Sequence, residues 1–337
     1  MSWVGLDIGG ANLKIADGKG YALSRAFSLW KFPHQLAATL AELLIQAPAA
    51  DSIAVTMTGE LADCYVTKAE GVAAILEAVE QAAEGREVCV YLCDGRFVQA
   101  DTARAKALLA GASNWHVLAD FMGRFCEGEQ SLLIDIGSTT CDLIPRDRSG
   151  PCTHGRTDPE RLAAGELVYT GVQRSPLCAV VRQLPWRGKP CPVAQEFFAT
   201  TQDAYLLLGE MPEEPENHDT ADGRPCTLSN AHARLARSIC ADTTMFSRVD
   251  AELAATMICE SQVDLLAVSA QQVLDRMTAA PSTVVLSGQG EFLAKKLLAR
   301  LSLACEVVSL AAKLGPEVSR SACAHALAIL ASERTKP

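Results

Sequence analysis

The sequence predicts an α/β protein made by duplication, with two lobes on either side of a central cleft. Three observations lead there. One phrase is written twice: residues 4–15 read VGLDIGGANLKI and residues 132–144 read LLIDIGSTTCDLI. Each is an apolar run ending in Asp-Ile-Gly, then small or hydroxylated residues, then a second apolar run. Each copy opens a series of alternating strand-like and helical segments, the pattern of a doubled α/β unit. The 337 residues also exceed what one ordinary core holds.

Taken in order, residues 4–8 and 13–17 read as short strands around Gly9-Gly10-Ala11-Asn12, and 20–29 as a third strand after a Gly turn. The pattern then predicts a helix over 34–45, a buried strand over 52–59 ending in Gly, a helix over 67–83 and a strand with a turn over 87–95. Asp101 reads as the N-cap of a helix running to 109, and 113–125 as helical. The series restarts with strands over 131–137 and 141–147. Residues 150–227 are the least regular, and their acidic stretch MPEEPENHDTADGRP (211–225) is expected to be exposed or mobile. Helices follow over 229–242 and about 250–278. Residues 282–301 read strand, Gly turn, helix, then comes a strand over 305–310 and a last helix over 319–333. Lobe I is assigned to 1–128 together with a C-terminal helix at 318–337. Lobe II is assigned to 129–317, with the insertion 150–227.

Composition narrows the function classes. Hydrophobic residues make up 49% and aromatics 5%, an Ala/Leu/Val-rich globular profile rather than a disordered one. The net charge is -10 with no Lys/Arg-rich run, so nucleic acid is not the expected partner. No signal-peptide pattern opens the sequence, and no uncharged apolar stretch reaches the ~18 residues that span a bilayer. The expectation is a cytoplasmic protein without membrane contact, acting on small molecules; a homo-oligomer is compatible with it. The 13 cysteines contain no Cys-x-x-Cys pair and read as reduced core thiols. Six scattered histidines make no i, i+4 ligand pair.

The repeated phrase carries the chemistry. Gly9, Gly10 and Gly137 have no Cβ, so backbone N–H groups can approach a ligand. Asn12, Ser138, Thr139 and Thr140 add short donors, giving a nest suited to phosphate oxygens. Asp7 and Asp135 end their strands facing that nest. A carboxylate beside a phosphate repels it unless a divalent cation lies between, and hard oxygen ligands suit Mg2+. Lys14 is either a phosphate ligand or a solvated surface lysine. Asp142 is either a metal-side carboxylate or a turn cap. An ordinary Gly-turned hairpin accounts for one copy of the phrase, but not for two in matching contexts.

VGLDIGGANLKIA, LLIDIGSTTCDLI and VVLSGQGEFLAKKL resemble the phosphate-1, phosphate-2 and adenosine motifs of the actin-like ATPase superfamily. That superfamily includes actin, Hsp70 chaperones, sugar kinases and the hydantoinase/oxoprolinase group. The resemblance implies the duplicated actin-like, ribonuclease H-like fold. DIGGANLK, TMTGELAD, DIGSTTCDLIP, GELVYTGVQRSP, EFFATTQDAYLLLGE and TADGRP resemble one subfamily of that group. Its archaeal members act in methanofuran biosynthesis, joining an aminomethylfuran diphosphate to γ-glutamyltyramine with release of pyrophosphate. Related bacterial proteins are linked to tetrahydromethanopterin-dependent one-carbon transfer.

The resemblance thus implies an Mg2+-dependent, ether-forming alkyl transferase. Asp7, Asp135 and Asp142 are the metal candidates. Gly9, Gly10, Asn12, Lys14, Gly137, Ser138, Thr139, Thr140 and Arg174 are the diphosphate candidates. Asp7, Glu60 and Asp203 are the catalytic candidates, with Glu60 or Asp203 as base for the phenol. Each has a bland alternative: Glu60 as a helix N-terminal acid, Asp203 in an N-cap box, Arg174 as a surface residue. Gly288, Gln289 and Gly290 either line a nucleotide-like pocket, contact the organic part of the substrate, or merely turn a helix onto its strand. Asp222 and Arg224 sit on a stretch that reads equally as a lid or a plain loop. The main competing reading is an ATP-dependent kinase or ATPase on the same fold, with ATP as cofactor. A hydantoinase-type hydrolase would need a ligand cluster for a metal-bound water, and a non-catalytic switch would not need the polar segments between 165 and 225.

Overall fold

The computed structural model describes residues 2–334. Strands β1 (Trp3–Ile8), β2 (Asn12–Ala16), β3 (Ala22–Ala26), β4 (Ser52–Met57), β5 (Glu87–Tyr91) and β6 (Phe97–Gln99) form one sheet in the order β3-β2-β1-β4-β5-β6. Strands β7 (Ser131–Ile136), β8 (Cys141–Asp147), β9 (Gly150–Pro151), β10 (Leu167–Val168), β13 (Thr283–Ser287) and β14 (Glu306–Ser309) form the second, in the order β10-β8-β7-β13-β14 with β9 paired to β8. Strands β11 (Gln183–Trp186) and β12 (Lys189–Pro192) make a separate hairpin. In both large sheets an antiparallel hairpin, β1–β2 or β7–β8, adjoins a parallel run, β1–β4–β5 or β7–β13–β14. This is the duplicated actin-like arrangement that the repeated phrase predicts.

The two-residue period of a strand places the site. In β1, Val4, Leu6 and Ile8 point to an outer core shared with the helices Leu36–Gln46 and Lys68–Ala83. Trp3, Gly5 and Asp7 therefore point to the inner face. In β7, Leu132, Ile134 and Ile136 point to a core with the helices Arg248–Leu274 and Glu291–Leu301, leaving Leu133 and Asp135 on the inner face. The inner faces of both sheets share one core, filled by the helices Asn114–Met122 and Ala322–Arg334 together with Trp3, Leu133, Ile144 and Val285. The last helix lies so close on β1 that a Cβ at Gly5 would stand 2.0 Å from the Ala324 carbonyl oxygen. Of the C-terminal helix assigned over 318–337, the residues Ala322–Arg334 form one helix that packs on β1, a separate short helix Pro316–Arg320 precedes it, and 335–337 lie outside the described residues.

Several local expectations shift. Asp101 is not an N-cap: the helix Ala100–Ala105 begins after Gln99, and a second short helix, Ala107–Ala110, follows. The long helix starts at Arg248, because Ser247 and Asp250 form a capping box. By length and composition that helix could cross a membrane. Here its buried apolar residues are divided between two cores, Ala254, Ala255 and Ile258 in one and Val263, Leu266 and Ala270 in the other, while Val249, Leu253, Leu265 and Val268 are exposed. The stretch 211–225 is largely exposed but anchored. Glu214 N–H donates to the Cys226 carbonyl and Cys226 N–H to that of Asn217, both at 2.9 Å. Asp222 accepts from Arg234 at 3.0 Å and from Arg237 at 2.9 Å.

Candidate active site

The two hairpin tips are closed in the same way. Gly9 N–H donates to the Asn12 carbonyl at 3.0 Å, and Gly137 N–H to the Thr140 carbonyl at 2.9 Å. This corrects one expectation: the N–H groups of Gly9 and Gly137 hold the turns and are not offered to a ligand. The next residues are offered instead. The backbone N–H groups of Gly10, Ala11, Ser138, Thr139 and Thr140 have no acceptor among the described residues, and all five residues line one cavity of about 510 Å³. An unpaired N–H seeks an acceptor, so two such rows form a nest for anionic oxygens. Asn12, Lys14 and Arg174 line the same cavity.

The carboxylates follow the strand register. Asp7 stands opposite Lys14, whose Nζ lies 3.7 Å from its carboxylate. Asp7 Oδ1 is buried without a hydrogen-bond partner. Burial pushes the Asp7 carboxyl above its ordinary pKa, and Lys14 pulls in the opposite sense. Asp135 stands opposite Asp142, and burial together with the Asp142 charge pushes Asp135 up to about 6. An orphaned carboxylate oxygen and a carboxylate crowded by like charge both fit a divalent cation, and their oxygens suit Mg2+. Among the described residues no three His, Cys, Asp or Glu side chains are grouped as a ligand set, so ligand oxygens would have to complete the shell.

Asp142 is corrected. It lines the cavity, but its Oδ1 accepts from the buried Arg161 guanidinium at 2.5 Å, so it is an ion-pair partner before it is a metal ligand. Arg161 belongs to a chain of charges that sequence reading missed. Glu60 lies 3.3 Å from Lys68, Lys68 lies 2.5 Å from Asp158, and Asp158 lies 3.9 Å from Arg161. The Arg161 guanidinium also stacks 4.2 Å from the Trp115 ring. The chain links the strand β4 end to the insertion. Its one sequence signal was the capping box Thr157–Glu160, which starts the short helix that carries Arg161.

Glu60 does face the cavity. It is 1% exposed, its Oε2 has no partner, and burial raises its pKa against the pull of Lys68. Glycines make room for it: a Cβ at Gly111 would lie 2.9 Å from its carboxyl group, and one at Gly71 would lie 2.1 Å from its backbone oxygen. Asp203 does not face it. Buried at 2% exposure, Asp203 caps the helix Thr201–Leu207 by accepting from Thr200 N–H at 2.9 Å, and it accepts from Arg234 Nε at 2.8 Å. It lines no part of the cavity, so the capping reading holds and Asp203 leaves the set of bases.

Gly288 and Gly290 are corrected too. Gly288 has φ +86°, and a Cβ there would lie 2.2 Å from the Ile136 carbonyl oxygen. Gly290 N–H donates to that carbonyl at 2.9 Å. They turn the helix Glu291–Leu301 tightly onto β7, and only Gln289 reaches a second, adjoining cavity. Gly171, in the motif that yielded Arg174, was passed over. A Cβ there would lie 2.5 Å from the Ser138–Thr139 backbone, so this glycine lets residues 171–174 back the second tip. Val172, Gln173 and Arg174 N–H groups donate to the Gly137 and Ser138 carbonyls at 3.0 Å. Arg174 then reaches Asp219 at 3.1 Å and Trp30, whose ring centre lies 5.1 Å away.

Comparison with known proteins bears on this geometry. A hydantoinase/oxoprolinase family model matches residues 51–334. The (4-{4-[2-(gamma-L-glutamylamino)ethyl]phenoxymethyl}furan-2-yl)methanamine synthase of Methanocaldococcus jannaschii is 33% identical over 331 residues, covering 97% of this chain and 96% of that enzyme. The synthase of the same name from Methanococcus vannielii is 29% identical over 201 residues, 59% of this chain and 89% of its own. Among solved structures, nucleotide-free acetone carboxylase, an ATP-dependent enzyme, superposes with a TM-score of 0.50 at 11% identity, over 94% of this chain and 51% of that one, a likeness of fold.

Proposed function

The chain belongs to the hydantoinase/oxoprolinase family, and from that premise we propose that it is a transferase joining an aminomethylfuran diphosphate to a phenolic amine of the tyramine type. The product is an aryl ether and the leaving group is pyrophosphate, a step in making a methanofuran-type cofactor for one-carbon metabolism. One observation carries the reading: five unpartnered backbone N–H groups from two hairpin tips line one cavity with Asp7 and Asp135. The names of the two related synthases describe a furan bearing a phenoxymethyl group, whose CH2–O bond is the one such a reaction would make.

In this reaction the C–O bond between the furfuryl CH2 and the diphosphate breaks, and its electron pair leaves with the pyrophosphate. The phenol oxygen forms the new C–O bond and gives up its proton. The nest N–H groups, with Lys14 and Arg174, receive the charge that develops on the diphosphate. Asp7 and Asp135 would hold Mg2+, which when bound neutralises part of that charge. Glu60 takes the phenol proton: it lines the cavity, its Oε2 has no hydrogen-bond partner, and its raised pKa makes it a better base. Trp30, Leu61 and Tyr169 supply apolar wall that keeps water from the furfuryl carbon while it carries positive charge.

The test is to incubate the protein with Mg2+, a furfuryl-type diphosphate and tyramine or γ-glutamyltyramine, and to measure pyrophosphate and ether in equal amounts. ATP hydrolysis that ignores both compounds, with no ether formed, would replace this reading by the ATPase or kinase one.

A further inference from the structure

A second cavity of about 790 Å³ opens beside the first, and Ala11, Asn12, Ser138 and Arg174 line both. We infer that it is the acceptor-tail subsite: it takes the polar end of the phenolic substrate, an amino-acid group bearing one ammonium and one carboxylate, with Gln202 as its central recognition residue. The inference rests on the proposed function, because the phenol oxygen must meet the carbon held at the diphosphate nest. The rest of that molecule then extends away from the nest, and the shared wall leads into this space.

The lining suits such a group. Gln202 is 4% exposed, yet its side-chain amide makes no hydrogen bond among the described residues. That amide opens onto the cavity and is not among the buried polar atoms, so its donor and its acceptor are both available to a ligand. The amides of Gln173 and Gln289 reach the same cavity and are likewise without partners among the described residues. Three amides offer donors for a carboxylate and acceptors for an ammonium or amide N–H. Arg174, paired with Asp219 at 3.1 Å, borders the space on the diphosphate side, and Glu216 adds a carboxylate with no ion-pair partner among the described residues. Phe197, 52% exposed, gives the cavity an aromatic surface against which a phenyl ring can lie. The wall formed by residues 214–221 is built in advance, since Asp222 behind it is held by Arg234 and Arg237.

The experiment compares γ-glutamyltyramine with tyramine in the native protein and in Gln202→Leu and Glu216→Gln, the latter an exposed change that leaves folding untouched. The readouts are KM for each acceptor at saturating furfuryl diphosphate, and calorimetric binding of each acceptor without turnover. The native protein should prefer the glutamyl acceptor, and each variant should cut that preference about tenfold through KM, as expected when a hydrogen-bonded group loses its partner. Equal loss for both acceptors, or no change in the preference, overturns the subsite. If the native protein makes no ether at all, the transferase reading falls and calorimetry decides the subsite alone. Tighter binding of γ-glutamyltyramine than of tyramine that disappears in the variants sustains it, and equal binding of the two removes it.

Discussion

Replacing Asp135 with Asn should stabilise the metal-free protein near neutral pH while abolishing its turnover. Burial and the Asp142 charge raise the Asp135 carboxyl from an ordinary 3.8 to about 6. A carboxyl with a raised folded-state pKa contributes stability that is fully present below about pH 4 and lost as pH climbs through about 6. A shift of about two units at 1.36 kcal/mol each amounts to about 3 kcal/mol. The group partly faces the water of the cleft, and screening reduces the figure to about 1–3 kcal/mol. The assay is urea denaturation of native protein and variant, both with a metal chelator, near pH 4.5 and near pH 7.5. The variant should be ahead by about 1–3 kcal/mol at the higher pH, and the gap should shrink at the lower one as the native carboxyl protonates. A gap that does not depend on pH, or a variant that is weaker near pH 7.5, would refute the idea that this cleft holds a destabilising crowd of negative charge awaiting a cation.

Glu60→Gln should lower the rate of pyrophosphate release by about 10²–10⁴-fold with the fold retained by circular dichroism; a rate near the native one would remove Glu60 as the base. Arg234→Met should cost about 3–5 kcal/mol in urea, because it strands the buried Asp203, and adding Asp203→Leu should return much of that loss. Full activity in that double variant, measured per folded molecule, would agree with Asp203 as a helix cap and not a catalytic group. Gly5→Ala should destabilise by about 1–3 kcal/mol or more, since its Cβ would meet the Ala324 oxygen at 2.0 Å; an unchanged denaturation midpoint would contradict that helix position.

Local features were legible where the chain itself sets them. The repeated Asp-Ile-Gly phrase gave the hairpins, and its strand-ending position placed Asp7 and Asp135 at the nest. What escaped depends on contacts between distant segments. Arg161 comes within reach of Asp142 only because the insertion folds back, with β10 pairing to β8. Lys68 looks like the first residue of a surface helix until Glu60 and Asp158 are placed beside it. Asp203 misled because Thr-Thr-Gln-Asp fits a helix cap and a catalytic acid equally well, and only Arg234, 31 residues on, decides between them. The glycines of 288–290 misled because a glycine that admits a ligand and one that admits a neighbouring backbone look the same in sequence.

The two repeats have kept their backbone and changed one charge. Asp7 and Asp135 occupy the same register position, and so do Lys14 and Asp142 across each hairpin. The following strands dock alike as well: Thr58 N–H donates to the Ile8 carbonyl and Gly290 N–H to that of Ile136, both at 2.9 Å. A strictly symmetric pair of acid-lysine hairpins would neutralise itself and leave little pull on a cation. Exchanging the second lysine for Asp142 adds net negative charge at the cleft, and Arg161 from the insertion offsets Asp142 from behind. Asp135 is then left without a cation of its own across the hairpin, and burial together with the Asp142 charge raises its pKa, so a bound cation would relieve it. On this argument lobe I supplies the fixed cation, Lys14, while lobe II supplies the affinity for a mobile one. Asp142→Lys should therefore weaken Mg2+ dependence of pyrophosphate release, raising the half-saturating Mg2+ concentration about tenfold or more. An unchanged Mg2+ requirement would mean that the asymmetry of the repeats has nothing to do with the metal.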